Sequence, residues 1–177
     1  MICVDYRDLN KARLKDDFPL PHIDVLVDNI SDHTLFSFMD GYAGYHQMKM
    51  APEDIEKTTF ITPWGTFCYK VMPFGLKYAT ATCQRATVTL FHDMMHKEIE
   101  VYVDDIICKS KVEEEHVVNL KKLFERLRKY SLKINPTKCS FGVKSGRVLS
   151  FIVSQKGIEV DIDKVKAIIE MPTPLDD

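Results

Sequence analysis

Ile99-Glu100-Val101-Tyr102-Val103-Asp104-Asp105-Ile106-Ile107-Cys108 is the stretch on which the fold turns. Ile99, Val101 and Val103 alternate with Glu98, Glu100 and Tyr102, the period-two pattern of a strand with one buried face. Asp104-Asp105 suits a tight turn, because Asp bonds readily to nearby backbone and tolerates turn conformations. Ile106-Ile107-Cys108 then returns as a second apolar strand. The segment predicts a β-hairpin with carboxylates at its tip.

Upstream, Tyr78 to Met95 contains neither Gly nor Pro and carries Val88, Phe91 and Met95 at helical spacing, which predicts a helix. Thr58 to Thr62 and Phe67 to Val71 flank Pro63-Trp64-Gly65 and predict a second hairpin. Leu35 to Met39 reads as a buried strand that delivers Asp40 before Gly41 and Gly44 break it. Downstream, Glu113 to Tyr130 predicts a helix with Val117, Leu120, Leu123, Phe124 and Leu127 as its apolar stripe. Short strands follow at Cys139 to Val143 and Val148 to Val153, and a helical segment at Asp163 to Met171 ends before Pro172. Without a regular βαβ alternation, these elements predict an α+β fold with an antiparallel sheet backed by helices.

At 177 residues the chain fits one domain with a sizeable core. Apolar residues at 45% and charged residues at 28% are ordinary for a soluble globular protein. The longest apolar runs, such as Val101 to Ile107, are short and broken by charge, so no membrane partner is expected. The opening Met1-Ile2-Cys3-Val4-Asp5-Tyr6-Arg7 has no basic-then-apolar pattern, and an intracellular setting, cytoplasmic or nuclear, is expected. Cys3, Cys68, Cys83, Cys108 and Cys139 lie far apart with no Cys-x-x-Cys pair, which favours reduced thiols over zinc or disulfides. A net charge of −2 is unlike the basic domains that bind nucleic acid through charge alone.

Asp40, Asp104 and Asp105 are the residue types that carry chemistry. Carboxylates delivered by buried strands are held rigidly, and several converging on one point call for a cation such as Mg2+, with its preference for oxygen ligands. Two such ions about 3.5–4 Å apart can stabilise both the attacking and leaving oxygens of a phosphoryl displacement. By residue type alone, a plain turn and a strand end are the better fit. His92 and His96, spaced i and i+4 without the Glu of a zinc-protease motif, predict an exposed helix face. Lys109, Lys111, Lys121, Lys122, Arg126, Arg128 and Lys129 alternate with acids and predict a solvated face.

The wording of the motifs narrows the choice. Tyr102-Val103-Asp104-Asp105 resembles the palm motif of reverse transcriptases. Phe38-Met39-Asp40-Gly41-Tyr42-Ala43-Gly44-Tyr45-His46-Gln47 is similar to their first acidic motif. Phe60 to Phe67, Met72-Pro73-Phe74-Gly75-Leu76-Lys77, Asn135 to Cys139 and Val153 to Ile158 extend the likeness over nearly the whole chain. The chain resembles the enzymes of plant Ty3/gypsy long-terminal-repeat retrotransposons.

That resemblance implies a right-hand polymerase palm with partial fingers over residues 1–155 and the start of a thumb connection over 156–177. It implies RNA-directed DNA synthesis with two Mg2+ ions, Mn2+ as a substitute, deoxynucleoside triphosphates, and an RNA or DNA template with primer. Asp40, Asp104 and Asp105 match the catalytic acids and metal ligands; Tyr45 matches the aromatic that excludes a ribose 2′-hydroxyl. Phe74 and Gly75 match the nucleotide-side loop, Gln84 and Arg85 the template-facing helix, and Tyr102 and Val103 the primer terminus. The chain departs from the family at Tyr78, Thr80 and Cys83, where Asn, Gly or Pro, and an aromatic are usual, and at Ser150 in the primer-holding turn. Asp163 follows Ile162 where relatives often carry Pro. In register, Met1 falls on a triphosphate-binding Arg of relatives, so the fragment alone is expected to be weak or inactive. The alternative reading is an inactive retrotransposon relic or an interaction module.

Overall fold

The computed structural model describes residues 4–14, 16, 18–19, 21–41, 44–148, 151–154, 157–160, 166–167 and 169–171. The chain opens with helices α1 (Arg7–Ala12) and α2 (Ile23–Ser31), then strand β1 (Leu35–Asp40). Helix α3 (Pro52–Ile55), the hairpin β2 (Phe60–Thr62) and β3 (Gly65–Phe67), and helix α4 (Ala79–Phe91) follow. Strands β4 (Ile99–Tyr102) and β5 (Asp105–Ser110) lead into α5 (Glu113–Lys129). Strands β6 (Ser140–Val143), β7 (Ser145–Val148), β8 (Phe151–Ser154) and β9 (Gly157–Val160) come last.

The central sheet runs β4-β5-β1-β6 with every pair antiparallel. It is covered on both faces, which is why Phe36, Ser37, Phe38 and Met39 are all buried in succession. Met39, Ile99, Val101, Ile106 and Cys108 pack with Phe91 of α4 and with Leu123 and Leu127 of α5. On the opposite face Phe36, Phe38 and Ile107 pack with Leu26 and Ile30 of α2 and Val153 of β8. Strands β7, β8 and β9 form their own antiparallel sheet. At Gly146 a Cβ would overlap the Phe38 ring, so only glycine lets β7 lie this close to β1.

The α+β class with an antiparallel sheet holds, and several element boundaries move. Helix α4 stops at Phe91 rather than Met95, because Met94 and Met95 leave the helix to join the apolar cluster around Ile99 and Val101. His92 and His96 are exposed as expected, but on a turn: His96 has φ 63. Thr58 belongs to a short 3-10 turn, and the β2–β3 hairpin spans only Phe60 to Phe67. The strand expected at Val148 to Val153 is two strands, β7 and β8.

The buried face of α5 is His116, Leu123 and Leu127 with Leu120 partly covered, whereas Val117 is 71% exposed and Phe124 sits at the surface. His116 wins the inward position because two serines satisfy it: Nε2 meets Ser37 Oγ at 2.7 Å and Nδ1 meets Ser110 Oγ at 2.9 Å. Burial pushes its pKa below the ordinary histidine value. Lys109, expected in solvent, is buried with Glu100; the two side chains pair at 2.8 Å, and Lys109 Nζ also donates to the Asn29 carbonyl of α2. Sequence alternation hides this, since both residues occupy the sheet face that α2 covers.

Lys166, Ala167 and Ile169 are helical. The expected helix start at Asp163 and its neighbour Ile162, the Leu149-Ser150 turn, Met1 and most of residues 156–177 lie outside the described residues.

Candidate active site

Strand β1 and the β4–β5 hairpin bring the three acids to one end of the sheet. Asp40, the last residue of β1, is the direct cross-strand partner of Asp105, the first residue of β5. Opposed residues of an antiparallel pair share a face, so both side chains rise from the same side of the sheet. The Gly41 amide donates to the Asp104 carbonyl at 2.8 Å, and the Asn135 amide donates to the Asp40 carbonyl at 2.8 Å. The backbone around the acids is therefore clipped from two directions.

The hairpin turn is Val103-Asp104, one position earlier than the expected Asp104-Asp105. Val103 has φ 55, a conformation that β-branched residues rarely adopt and that costs on the order of 1–3 kcal/mol. Gln84 of α4 holds it. Its Oε1 accepts the Val103 amide and its Nε2 donates to the Val101 carbonyl at 3.3 Å. Gln84 is 0% exposed. With both ends of its amide engaged, it supports the turn from below instead of facing a template as expected.

Each acid has its own surroundings. Asp104 Oδ1 accepts from the Cys83 thiol at 3.6 Å, and its carboxylate lies where a Cβ on Gly44 would be. Asp40 Oδ2 pairs with Lys138 Nζ at 2.9 Å. Burial raises the Asp104 carboxyl above the ordinary range, the Cys83 contact offsets part of this, and the charge of Asp40 adds to it. Asp105 is raised by burial first, then by Asp40 and Asp104. Cys83 itself, buried and beside Asp104, is pushed up to about 11 and stays a neutral thiol.

Among the described residues no three His, Cys, Asp or Glu side chains converge closely enough to hold an ion. The expectation of converging carboxylates is met by the backbone and not by the side chains, since the acids repel and two of them have nearer partners in Lys138 and Cys83. The donor set nevertheless suits a hard divalent cation: it consists of carboxylate oxygens whose proton affinities rise through burial first and through the neighbouring negative charges second.

A second cluster lies beside the acids. Tyr45, in the 3-10 turn Gly44–Gln47, meets Phe74 edge-on at 5.2 Å, and its hydroxyl lies 3.0 Å from Thr80 Oγ1. Phe74 is half exposed and also meets the His46 ring at 4.9 Å. Gly75 has φ 94, which glycine adopts without strain. Asn10 staples this loop: its Nδ2 donates to the Gly75 carbonyl and its Oδ1 accepts the Lys77 amide, both at 2.8 Å. Arg85 is turned to Asp16 at 2.6 Å and lies over the Phe18 ring. Tyr102 is half-buried against the cluster of Phe36 and Ile107. Asn10, Thr80, Cys83 and Lys138 are site neighbours that no motif marked as such. Gly44, inside the first acidic motif, was legible only as a strand breaker.

The reverse transcriptase (RNA-dependent DNA polymerase) family profile matches residues 1–153. The chain belongs to that family. It is 36% identical over 176 residues to the Retrovirus-related Pol polyprotein from transposon 297 of Drosophila melanogaster, covering 99% of this chain and 17% of that protein. It is 35% identical to the corresponding polyprotein from transposon gypsy of the same fly, covering 98% and 17%. To the Transposon Tf2-3 polyprotein of Schizosaccharomyces pombe it is 34% identical, covering 92% and 12%. This reverse transcriptase segment thus spans under a fifth of such polyproteins. Its fold matches the foamy viral protease-reverse transcriptase solved with an RNA/DNA hybrid, at a TM-score of 0.84 and 22% identity over 96% of this chain and 23% of that one. The same viral protein solved with double-stranded DNA gives 0.86, over 96% and 30%.

Proposed function

We propose that this reverse transcriptase segment carries the polymerising centre of a retrotransposon Pol polyprotein, adding deoxynucleotides to a primer 3′-hydroxyl on an RNA or DNA template. The observation that carries the proposal is the Asp40–Asp105 cross-strand pair beside the strained Val103-Asp104 turn, at one end of the sheet. The wording of the motifs further suggests an element of a plant genome.

In this reading Asp40 and Asp104 hold two Mg2+ ions, or Mn2+ in their place, with Asp105 assisting. Bound there, the ions would polarise the α-phosphate and favour the attacking and departing oxygens. The chain's own residues do the positioning. Gln84 and the Gly41 amide fix the turn that carries Asp104, so the carboxylate needs no search when substrate arrives. Phe74 and Gly75 form the floor for the nucleotide. Tyr45 places its ring where a 2′-hydroxyl would fall, and Tyr102 and Val103 lie under the primer end. Positioning and charge neutralisation are what phosphoryl transfer chiefly needs from a protein.

The test is primer extension on an RNA template by the enzyme that contains this chain, with Asp40→Asn and Asp104→Asn beside the wild type. Loss of extension in both, with folding retained, supports the reading. Near-normal extension by either overturns it.

A further inference from the structure

Tyr45 is constrained at two points. Its hydroxyl shares a hydrogen bond with Thr80 Oγ1 at 3.0 Å, and its ring meets Phe74 nearly perpendicular, at 88°. A tyrosine ring moves by two torsions, and a bond at its tip together with a packed edge restricts both. Tyr45 also lies against the cluster containing Ala79 and Cys83. Thr80 is on the first turn of α4, the helix whose Cys83 touches Asp104 and whose Gln84 holds the hairpin turn. One rigid element therefore carries the tether of Tyr45 and the supports of the acid turn.

We infer that Thr80 is the positioning residue of the sugar gate: its hydroxyl tethers Tyr45, and this tether sets how strongly the enzyme rejects ribonucleotides. The inference rests on the proposed role of Tyr45. A ribonucleotide differs from its deoxy counterpart at this point by one oxygen, so a ring displaced by a fraction of its width admits it. The tethered ring cannot swing without breaking its bond to Thr80. Untethered, it retains its contact with Phe74 and excludes the extra oxygen less completely. The deoxynucleotide, which leaves that space empty, is indifferent to the change.

The experiment compares kcat/KM for deoxynucleotide and ribonucleotide in the full enzyme for Thr80→Val, Thr80→Ser, Tyr45→Phe, the Tyr45→Phe/Thr80→Val double variant and Tyr45→Val. Thr80→Val keeps the shape and removes the hydroxyl. It and Tyr45→Phe should each lower discrimination about two- to tenfold, the worth of one ordinary hydrogen bond. The double variant should go no further than either single one, and Thr80→Ser should preserve the wild-type ratio. For Thr80→Val the change should appear in ribonucleotide use, with the deoxynucleotide KM nearly constant. If Tyr45→Val abolishes discrimination while Thr80→Val and Tyr45→Phe leave it intact, the tether is refuted and the gate stands. If Tyr45→Val leaves it intact, the gate reading fails and the tether with it. Equal losses on both nucleotides would reduce Thr80 to a packing residue and overturn the inference.

Discussion

Asp40 and Asp105 stand directly opposite one another across the β1–β5 ladder, a like-charged cross-strand pair at the end of a buried sheet. Such a pair is destabilising in an ordinary sheet. Here Lys138 offsets it from the side of Asp40, and the pair is kept at the point where the hairpin turn adds Asp104.

Asp104→Asn should abolish primer extension while leaving the fold intact. The folded-state pKa of Asp104 is raised, so its ionised form is the less comfortable one in the folded protein. Below the ordinary carboxylate range both folded and unfolded states are protonated, and the variant should match the wild type. As pH rises past about 4, the wild type loses stability relative to the variant. Thermal melts from pH 3 to 8 should show the two curves separating upward in pH, with Asn the more stable. Curves that separate in the opposite sense would contradict the assigned environment.

Gly44→Ala should silence the site without unfolding it. The added methyl would overlap the Asp104 carboxylate, which must then leave its position. A displacement of about 1 Å at a reacting group can cost on the order of 100-fold in rate. Circular dichroism should remain native while extension falls by that order; wild-type activity in this variant would show that the carboxylate need not be where it lies.

Gln84→Leu should lower kcat without weakening the hold on primer-template. The substitution leaves the Val103 amide and Val101 carbonyl without partners beneath a strained turn, at about 1–3 kcal/mol for each buried group. A filter-binding titration measures Kd beside single-turnover rates. A large rise in Kd with an unchanged rate would restore Gln84 to the template-facing role.

The Glu100–Lys109 pair predicts a stability signature away from the acids. Lys109→Met removes the buried counter-charge of Glu100, leaves its carboxylate to the His96 ring 3.0 Å from Oε2, and should cost about 3–5 kcal/mol in urea unfolding. The Glu100→Leu/Lys109→Met double variant removes both charges and should recover most of that loss. If the double variant is as unstable as the single one, the pair is contributing through more than its charges.

Tyr45→Val should raise ribonucleotide incorporation far more than it lowers deoxynucleotide use, read as the ratio of the two kcat/KM values. An unchanged ratio would leave Tyr45 as a packing residue between Phe74 and α4.

Local chemistry was enough to place β1, the β4–β5 hairpin and α5, because period-two and period-3.6 apolar patterns are set by residues a few positions apart. The motif wording then marked Asp40, Asp104, Asp105 and Tyr45. What only the tertiary structure decided were the partners that come from distant segments. Alternation made Glu100 an exposed residue; burial beneath α2 made it the counter-charge of Lys109. Helical spacing made Val117 inward-facing; two serines on β1 and β5 gave that side of α5 to His116. Gln84 changed from a template contact to the support of Val103, because the space under a left-handed turn needs a donor and an acceptor at once. Thr80 became the partner of Tyr45 only when α4 was laid beside the 3-10 turn. A side chain's role depends on what faces it, and what faces it here comes from a different element of the fold.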